Sequence, residues 1–433
     1  MDPTLQRGDR PVWARLRFDQ MAPSGACAKG PIRPVLAPSR SRPIITIWSN
    51  RNATYFQLTT LEMDFTLDDE QRMLADTVGR FVAAEYEFEA RRKRLAKNGG
   101  FSQELWDTLA GMGLFGLNVP VEHGGIGGGP VETLMVMEQL GRGLVLEPYI
   151  DTGVVAPRLI ARFGSAAQRS RWLPCIADGS QRFALAALEP QARYDLNDIR
   201  TGAERRDGGF VLDGAKCVVP HGDSAHWLIV PARSAEGVTL FIVDAAAAGV
   251  HAQGFPTIDH RRVAELRLDQ VRVADDQVIG AVGAGYPLLE WAVDQALAAL
   301  AAEAVGAMDR LTELTCEHLR TRMQFGKPIG SFQSLQHRAA DMRIAVEQAR
   351  ALALMAAAGA DADDRAQRRR GAIAAKAMAG RSGRFVGQQA TQLHGGMGMT
   401  DEMACGHYFK RLTAIDMTLG NTEHQVEAYG EFL

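Results

Sequence analysis

Arg322-Met-Gln-Phe-Gly-Lys-Pro-Ile-Gly-Ser-Phe-Gln-Ser-Leu-Gln-His-Arg-Ala-Ala-Asp-Met342 is the stretch around which the rest of the chain is arranged. A long helical pattern runs into it: Val293, Leu297, Leu300, Ala304, Met308, Leu311 and Thr315 recur at steps of three and four and make one face. Gly326 and Pro328 break that pattern. Leu335, Ala339, Met342, Val346 and Ala349 then start a second one. Two helices joined by a turn that carries an arginine and glutamines can grip a phosphate. The Arg322 guanidinium offers a fork of donors, and the open amides at the start of the second helix favour an anion. Taken alone, Arg322 is better explained as a surface residue of a helix hairpin.

The chain has 433 residues, 46% of them hydrophobic, and a formal net charge of −3. That is enough length for large cores, and the charge gives no basic excess to attract nucleic acid. Cys27, Cys175, Cys217, Cys316 and Cys405 are scattered without a C-x-x-C pair, so no metal site and no disulfide framework is expected. The expected setting is the reducing cytoplasm. No apolar run is long enough to span a bilayer. The most apolar stretch, residues 291–308, carries Asp294 and Glu303 and reads as a buried amphipathic helix.

Residues 1–62 are rich in arginine and proline and lack a sustained apolar period, so a disordered extension is expected there. Residues 63–181 read as a helical domain. Thr66 with Asp69 and Glu70 gives a helix-start signal, and Leu105, Leu109 and Met112 mark a short helix. The glycine-rich run from Val119 to Pro130 has no preceding strand and no Gly-Lys-Ser/Thr, which argues against a phosphate loop. Residues 182–282 change period and read as an antiparallel β-barrel domain. Its first hairpin is placed at Asp213-Gly214, between Phe210-Val-Leu and Ala-Lys-Cys-Val-Val. Residues 283–433 return to long helices with short connections, as in a four-helix bundle. Residues 361–370 read as a charged, solvated connector.

The Arg-x-x-Phe-Gly…Gln…Gln…Ala-Asp-Met turn resembles that of the acyl-CoA dehydrogenase family. So does a second segment, Gln392-Leu-His-Gly-Gly-Met-Gly-Met-Thr-Asp-Glu402, which matches the family's Gln-x-x-Gly-Gly-x-Gly. Leu188-Glu-Pro190 with Asp195 is similar, in part, to the family's Thr-Glu-Pro-x-Ala-Gly-Ser-Asp. The resemblance runs from about Met63 to the end of the chain. It implies three domains (helical, β, helical bundle) and an FAD cofactor. It also implies that Arg322, Gln324, Phe325, Gln333, Gln392, Gly395 and Gly396 contact the adenosine end of an FAD whose ring lies in a neighbouring subunit. The implied reaction is α,β-dehydrogenation of an acyl-CoA thioester, by proton abstraction and hydride transfer to flavin, in fatty acid or dicarboxylic acid degradation. Electron-transfer flavoprotein or a similar carrier is the implied acceptor.

Such a reaction needs a carboxylate base. At the family's two glutamate positions this chain has Leu419 and Ala296, and neither accepts a proton. Asp416 and Asp294 are the nearest substitutes, although Asp294 lies on a different helix face from Ala296. The family's Trp-x-Thr beside the flavin corresponds to Val218 and Pro220, and proline offers neither N–H nor hydroxyl. An intact adenosine grip beside a degraded ring side resembles the small subunit of two-subunit enzymes such as pimeloyl-CoA dehydrogenase. The expectation is therefore a hetero-tetramer whose base comes from a partner subunit. Two alternatives stand beside it: a self-sufficient homotetramer with a relocated carboxylate, and a flavin-binding relative that recruits nucleic acid.

Overall fold

The computed structural model describes residues 67–98 and 101–432. The expected extension 1–62 and the helix-start signal at Thr66 lie outside the described residues. Helix α1 (Asp69–Glu85) starts instead on a capping box. Asp68 accepts from the Gln71 amide at 2.8 Å, and the Gln71 side chain accepts from the Asp68 amide at 3.2 Å. Leu74, Val78, Phe81 and Val82 form its buried face. Then follow α2 (Phe88–Asn98), α3 (Gln103–Gly111) and α4 (Pro130–Arg142), the last with proline in its first turn. A π-helical turn, Ile150–Val155, leads into α5 (Ala156–Phe163) and α6 (Ala166–Ala177).

The middle region is a sheet of eight strands: β1 (Phe183–Leu185), β2 (Gly202–Arg206), β3 (Gly209–Pro220), β4 (Trp227–Ser234), β5 (Gly237–Asp244), β6 (Val250–Pro256), β7 (Arg262–Ala274) and β8 (Val278–Ile279). Its order is β6-β7-β3-β2-β4-β5-β8, with β1 on β4. Most pairs are antiparallel, but β1–β4 and β2–β4 are parallel. Leu212, Leu228, Val230, Phe241 and Leu266 fill the core of the sheet. The first hairpin is not at Asp213-Gly214. The chain reverses six residues earlier, at Asp207-Gly208, where Gly208 has φ 79° and Arg206 pairs with Gly209. β3 then runs through Asp213-Gly214 as a register irregularity against β7. Gly214 is needed there for a close approach, since a Cβ on it would lie 2.6 Å from Thr201.

The last region is built on α7 (Gly285–Thr321). A two-residue hairpin, β9 (Met323–Gln324) and β10 (Lys327–Pro328), separates it from α8 (Gln333–Gly359). Then come α9 (Arg365–His394), α10 (Ala404–Met417) and the short α11 (Thr422–Gly430). Helix α9 packs on α7, α8 and α10 to give the bundle. Residues 289–308 of α7 are buried on nearly every side, more completely than an amphipathic helix. Helix α4 crosses α7 at close range: a Cβ on Gly306 would lie 1.8 Å from the Glu138 carbonyl. Two carboxylates on α7 are neutralised from elsewhere. Asp294 takes Arg368 and Arg369, and Glu303 takes Arg411 and Arg261. Residues 361–370 are therefore only partly the solvated connector expected. Arg365 opens α9 and pairs with Glu290, and Arg368 is buried. Among the described residues no helix is long and apolar enough to cross a membrane.

Candidate functional site

Helix α7 ends at Arg322, whose backbone amide still donates to His318. The turn that follows has φ 52° at Phe325 and 76° at Gly326, the left-handed pair that closes a two-residue hairpin. It holds Phe325 88% exposed. The Arg322 guanidinium is exposed and has no hydrogen bond or ion pair among the described residues. No side chain caps the start of α8, so its first amides remain open to an anion. The second motif lies beside this turn. His394, at the end of α9, stacks on His318 of α7 with ring centroids 4.4 Å apart, and Arg338 of α8 donates to Gln389 of α9 at 2.7 Å. Beyond His394, Gly395 turns left-handed at φ 65°, and a Cβ on Gly395 or Gly396 would meet nothing within 4 Å. Arg322, Gln324, Phe325, Gln333, Gln392, Gly395 and Gly396 are all exposed. A free guanidinium, an open helix start, two bare glycine faces and an exposed ring fit the phosphate and adenosine half of FAD.

The ring side differs. Leu419 and Ala296 both line one cavity of about 100 Å³, together with Pro220, His221 and Asp151. Leu419 stands in a turn after α10 at φ 53°. Three side chains fix that turn. The buried Lys376 ammonium donates to the carbonyls of Asp416 at 2.9 Å and Gly420 at 2.7 Å. Gln425 donates to the Leu419 carbonyl at 2.8 Å. The Asp416 carboxylate accepts from the Thr422 amide and hydroxyl and from Arg384. Burial lowers the Lys376 pKa to about 8. Asp416 is itself buried, not a surface carboxylate. Burial opposes its ionisation, but Arg384, Thr422 and Lys376 outweigh burial and hold the carboxyl below its usual range. Asp294 is gripped by Arg369 at 2.6 Å and Arg368 at 3.1 Å. Neither Asp294 nor Asp416 lines the cavity.

Pro220 reaches the cavity because β3 carries a bulge. Lys216 pairs with Leu266 and Val219 with Ala264, so one residue is extra. Such bulges re-aim side chains next to sites. Val218, at φ 51°, turns out and is 53% exposed. His221 follows at φ 49° and is buried. On the far wall Arg411 forms a two-point pair with Glu303 at 2.8 and 2.7 Å and reaches Asp259 at 2.8 Å. This buried cluster joins α7, α10 and the β6–β7 turn. Sequence inspection missed it, along with Asp151 and His221, because its members are far apart in the chain and belong to no motif. Cofactor pockets are typically about 300–1,000 Å³. With the side chains as they stand, the cavity does not fit a flavin ring.

The family model for the acyl-CoA dehydrogenase N-terminal domain matches residues 68–180, that for the middle domain 184–271, and that for the C-terminal domain 283–433. Acryloyl-CoA reductase (NADH) of Anaerotignum propionicum is 29% identical over 84% of this chain and 94% of its own length. Acyl-CoA dehydrogenase FadE12 of Mycobacterium tuberculosis is 31% identical over 79% and 90%. Among solved structures, the ChsE4–ChsE5 complex from Mycobacterium tuberculosis superposes with a TM-score of 0.79 at 27% identity, covering 85% of this chain and 98% of that one. The FAD complex of PigA gives 0.79 at 25% identity, over 85% and 98%. Three consecutive domain matches, and the three-region fold they correspond to, lead to one conclusion: the chain belongs to the acyl-CoA dehydrogenase family of FAD-dependent oxidoreductases.

Proposed function

We propose that this chain is one subunit of a two-subunit acyl-CoA dehydrogenase, assembled as a hetero-tetramer in the cytoplasm, and that a partner subunit supplies the catalytic base. One observation carries this proposal: Leu419 and Ala296, the two positions where the family places its glutamate, line the same cavity, and both are apolar. The similarity to ChsE4–ChsE5, solved as a complex of two named proteins, supports it. FAD supplies the hydride acceptor for α,β-dehydrogenation of an acyl-CoA thioester derived from a fatty or dicarboxylic acid. This chain's contribution is at the other end of the cofactor. Arg322, with the α8 amides, holds the pyrophosphate. Phe325, Gln324 and Gln333 border the adenosine, and Gln392, Gly395 and Gly396 let it approach the backbone. Electron-transfer flavoprotein or a similar carrier is the acceptor. Asp294 and Asp416 are structural, because arginines hold both outside the cavity.

The test is to purify the chain alone and with a second subunit of the same family, and to measure FAD per chain and acyl-CoA oxidation. A general base contributes about 10²–10⁴-fold, so turnover by the isolated chain is expected to be lower by about that factor. Robust oxidation by the homogeneous chain with one FAD per subunit refutes the proposal.

A further inference from the structure

Arg91, on α2, is 2% exposed and forms no ion pair among the described residues. Its contacts are with neutral groups. Nε donates to the Leu144 carbonyl at 3.0 Å, one terminal nitrogen meets Nδ1 of His407 at 3.3 Å, and the other reaches the Asp259 carbonyl at 3.5 Å. Nε2 of His407 lies 3.0 Å from the Asp401 carbonyl, which only accepts, so Nδ1 is the acceptor for Arg91. A guanidinium carries more N–H donors than these three contacts use. The carboxylates around it are engaged. Asp259 accepts from Arg411 and Thr257, and Glu303 from Arg411 and Arg261. Glu147 accepts from Tyr86 and the Ser102 amide, and burial pushes it toward its neutral form. Three guanidiniums, of Arg91, Arg261 and Arg411, thus share the two carboxylates of Asp259 and Glu303. Burial, then the Arg261 charge, lower the Arg91 pKa to about 10, so at neutral pH it is still a cation. An unmatched buried charge is costly and calls for a counter-charge.

Arg91 also lines a second cavity, of about 750 Å³, between α1, the start of α2, the end of α4, the C-terminal half of α7 and the start of α10. That is within the usual range for ligands, about 300–1,000 Å³. Val82, Phe88, Leu144, Leu314 and Tyr408 give it apolar and aromatic walls. Glu87, Glu317 and Glu402 line it too, and all three are exposed. Arg142 and Arg310 do not offset them, because they are tied to Asp309 and Glu313. These carboxylates disfavour a dianion such as phosphate more than a monoanion. The walls therefore suit one negative charge on an apolar body. Arg322, Gln392 and Gly395 are not among the lining residues, so the cavity is separate from the proposed adenosine contacts.

We propose that this cavity binds an organic monocarboxylate with an apolar, ring-sized body. The carboxylate accepts from Arg91 and supplies the counter-charge that Asp259 and Glu303 leave wanting. The body lies against Phe88, Leu314 and Tyr408. No bond is made or broken there. The site depends neither on where the catalytic base comes from nor on the FAD contacts.

Benzoate is the probe and benzamide its uncharged control, followed by saturation-transfer NMR on the full chain at low salt, with and without a partner subunit. Saturable benzoate binding is expected in both cases. Benzamide, and benzoate on Arg91→Gln, each lack the charge-assisted contact and should bind roughly ten- to a hundredfold more weakly. Arg91 also ties α2 to Leu144, so a second variant avoids the interior. Glu402→Gln is at the surface, removes a like charge from the wall, and should tighten benzoate binding about twofold. The proposal is overturned by no saturable binding to the folded chain, by benzamide binding as tightly as benzoate, or by full benzoate affinity in a folded Arg91→Gln variant. Weaker binding to Glu402→Gln does the same. So does displacement of benzoate by ADP, which would make the cavity part of the cofactor site. Loss of binding when the partner subunit is added would give Arg91 a side chain of that subunit as its counter-charge, and would also overturn it.

Discussion

The region proposed to hold the adenosine end of a neighbour's FAD and the chain's own ring-side cavity are opposites. At the adenosine end every proposed contact is exposed, with Phe325 88% exposed and Arg322 unpaired among the described residues. At the ring end Ala296 is buried and Leu419 and Pro220 are partly buried, and side chains nearby are committed to one another, Arg411 with Glu303 and Asp259, and Lys376 with two carbonyls. An exposed guanidinium beside an open helix start gains little until a ligand arrives. A buried ion cluster does its work within the fold and tolerates little change. The lesson is that two cofactor-facing regions of one chain can be under different physical constraints, one set by binding and the other by packing.

Activity gives the strongest way to break this comparison. Leu419→Glu restores a carboxylate to one family position, yet the cavity it lines stays at about 100 Å³, so the isolated chain is expected to stay inactive. A gain approaching the 10²–10⁴-fold contribution of a base would show that the ring end is competent and lacks only its carboxylate. Glu303→Ala comes next. It strips Arg411 and Arg261 of their shared partner in the interior, and breaking a buried pair costs about 3–5 kcal/mol. The denaturation midpoint should fall accordingly, with no direct effect on the adenosine end.

Arg322→Ala should do the reverse. Losing a charge-assisted contact of about 1.5–3 kcal/mol weakens FAD binding by the assembled protein roughly ten- to a hundredfold, while the melting temperature of the chain stays put. Lysine should recover only part, because the planar fork is lost. Equilibrium FAD titration decides it. The last effect concerns pH. Asp151 has a folded pKa of about 7 against about 3.9 unfolded. Its contribution to stability is therefore fully present below about pH 4 and is lost as pH rises through about 7. The slope is at most about 1.4 kcal/mol per pH unit. Asp151→Asn should flatten that part of the stability profile, measured by urea denaturation between pH 4 and 8.

Much of the architecture could be read from the chain alone. A three-and-four period built α7 and α8, Gly326 and Pro328 fell in the short hairpin between Thr321, where α7 ends, and Gln333, where α8 begins, and a change of period separated the β region. These signals act between neighbours in sequence, so they survive without knowledge of the fold. The same holds for the two motifs carrying Arg322 and Gln392, which are contiguous segments. Wherever a partner had to be chosen in space, sequence was silent or misleading. Two Asp-Gly dipeptides compete for the first hairpin, and the chain turns at Asp207-Gly208, while the later pair lies inside β3, Asp213 opposite Gly202 of β2 and Gly214 opposite Leu268 of β7. The cavity is walled by a π turn in the first region, a bulged strand in the second, and α7 and the α10–α11 turn in the third. Glu303, Arg411 and Asp259 meet only when all of these pack together. Periodicity and turn chemistry are local and written in the chain, whereas burial and charge pairing depend on which distant segments share a volume, and only the tertiary structure decides that.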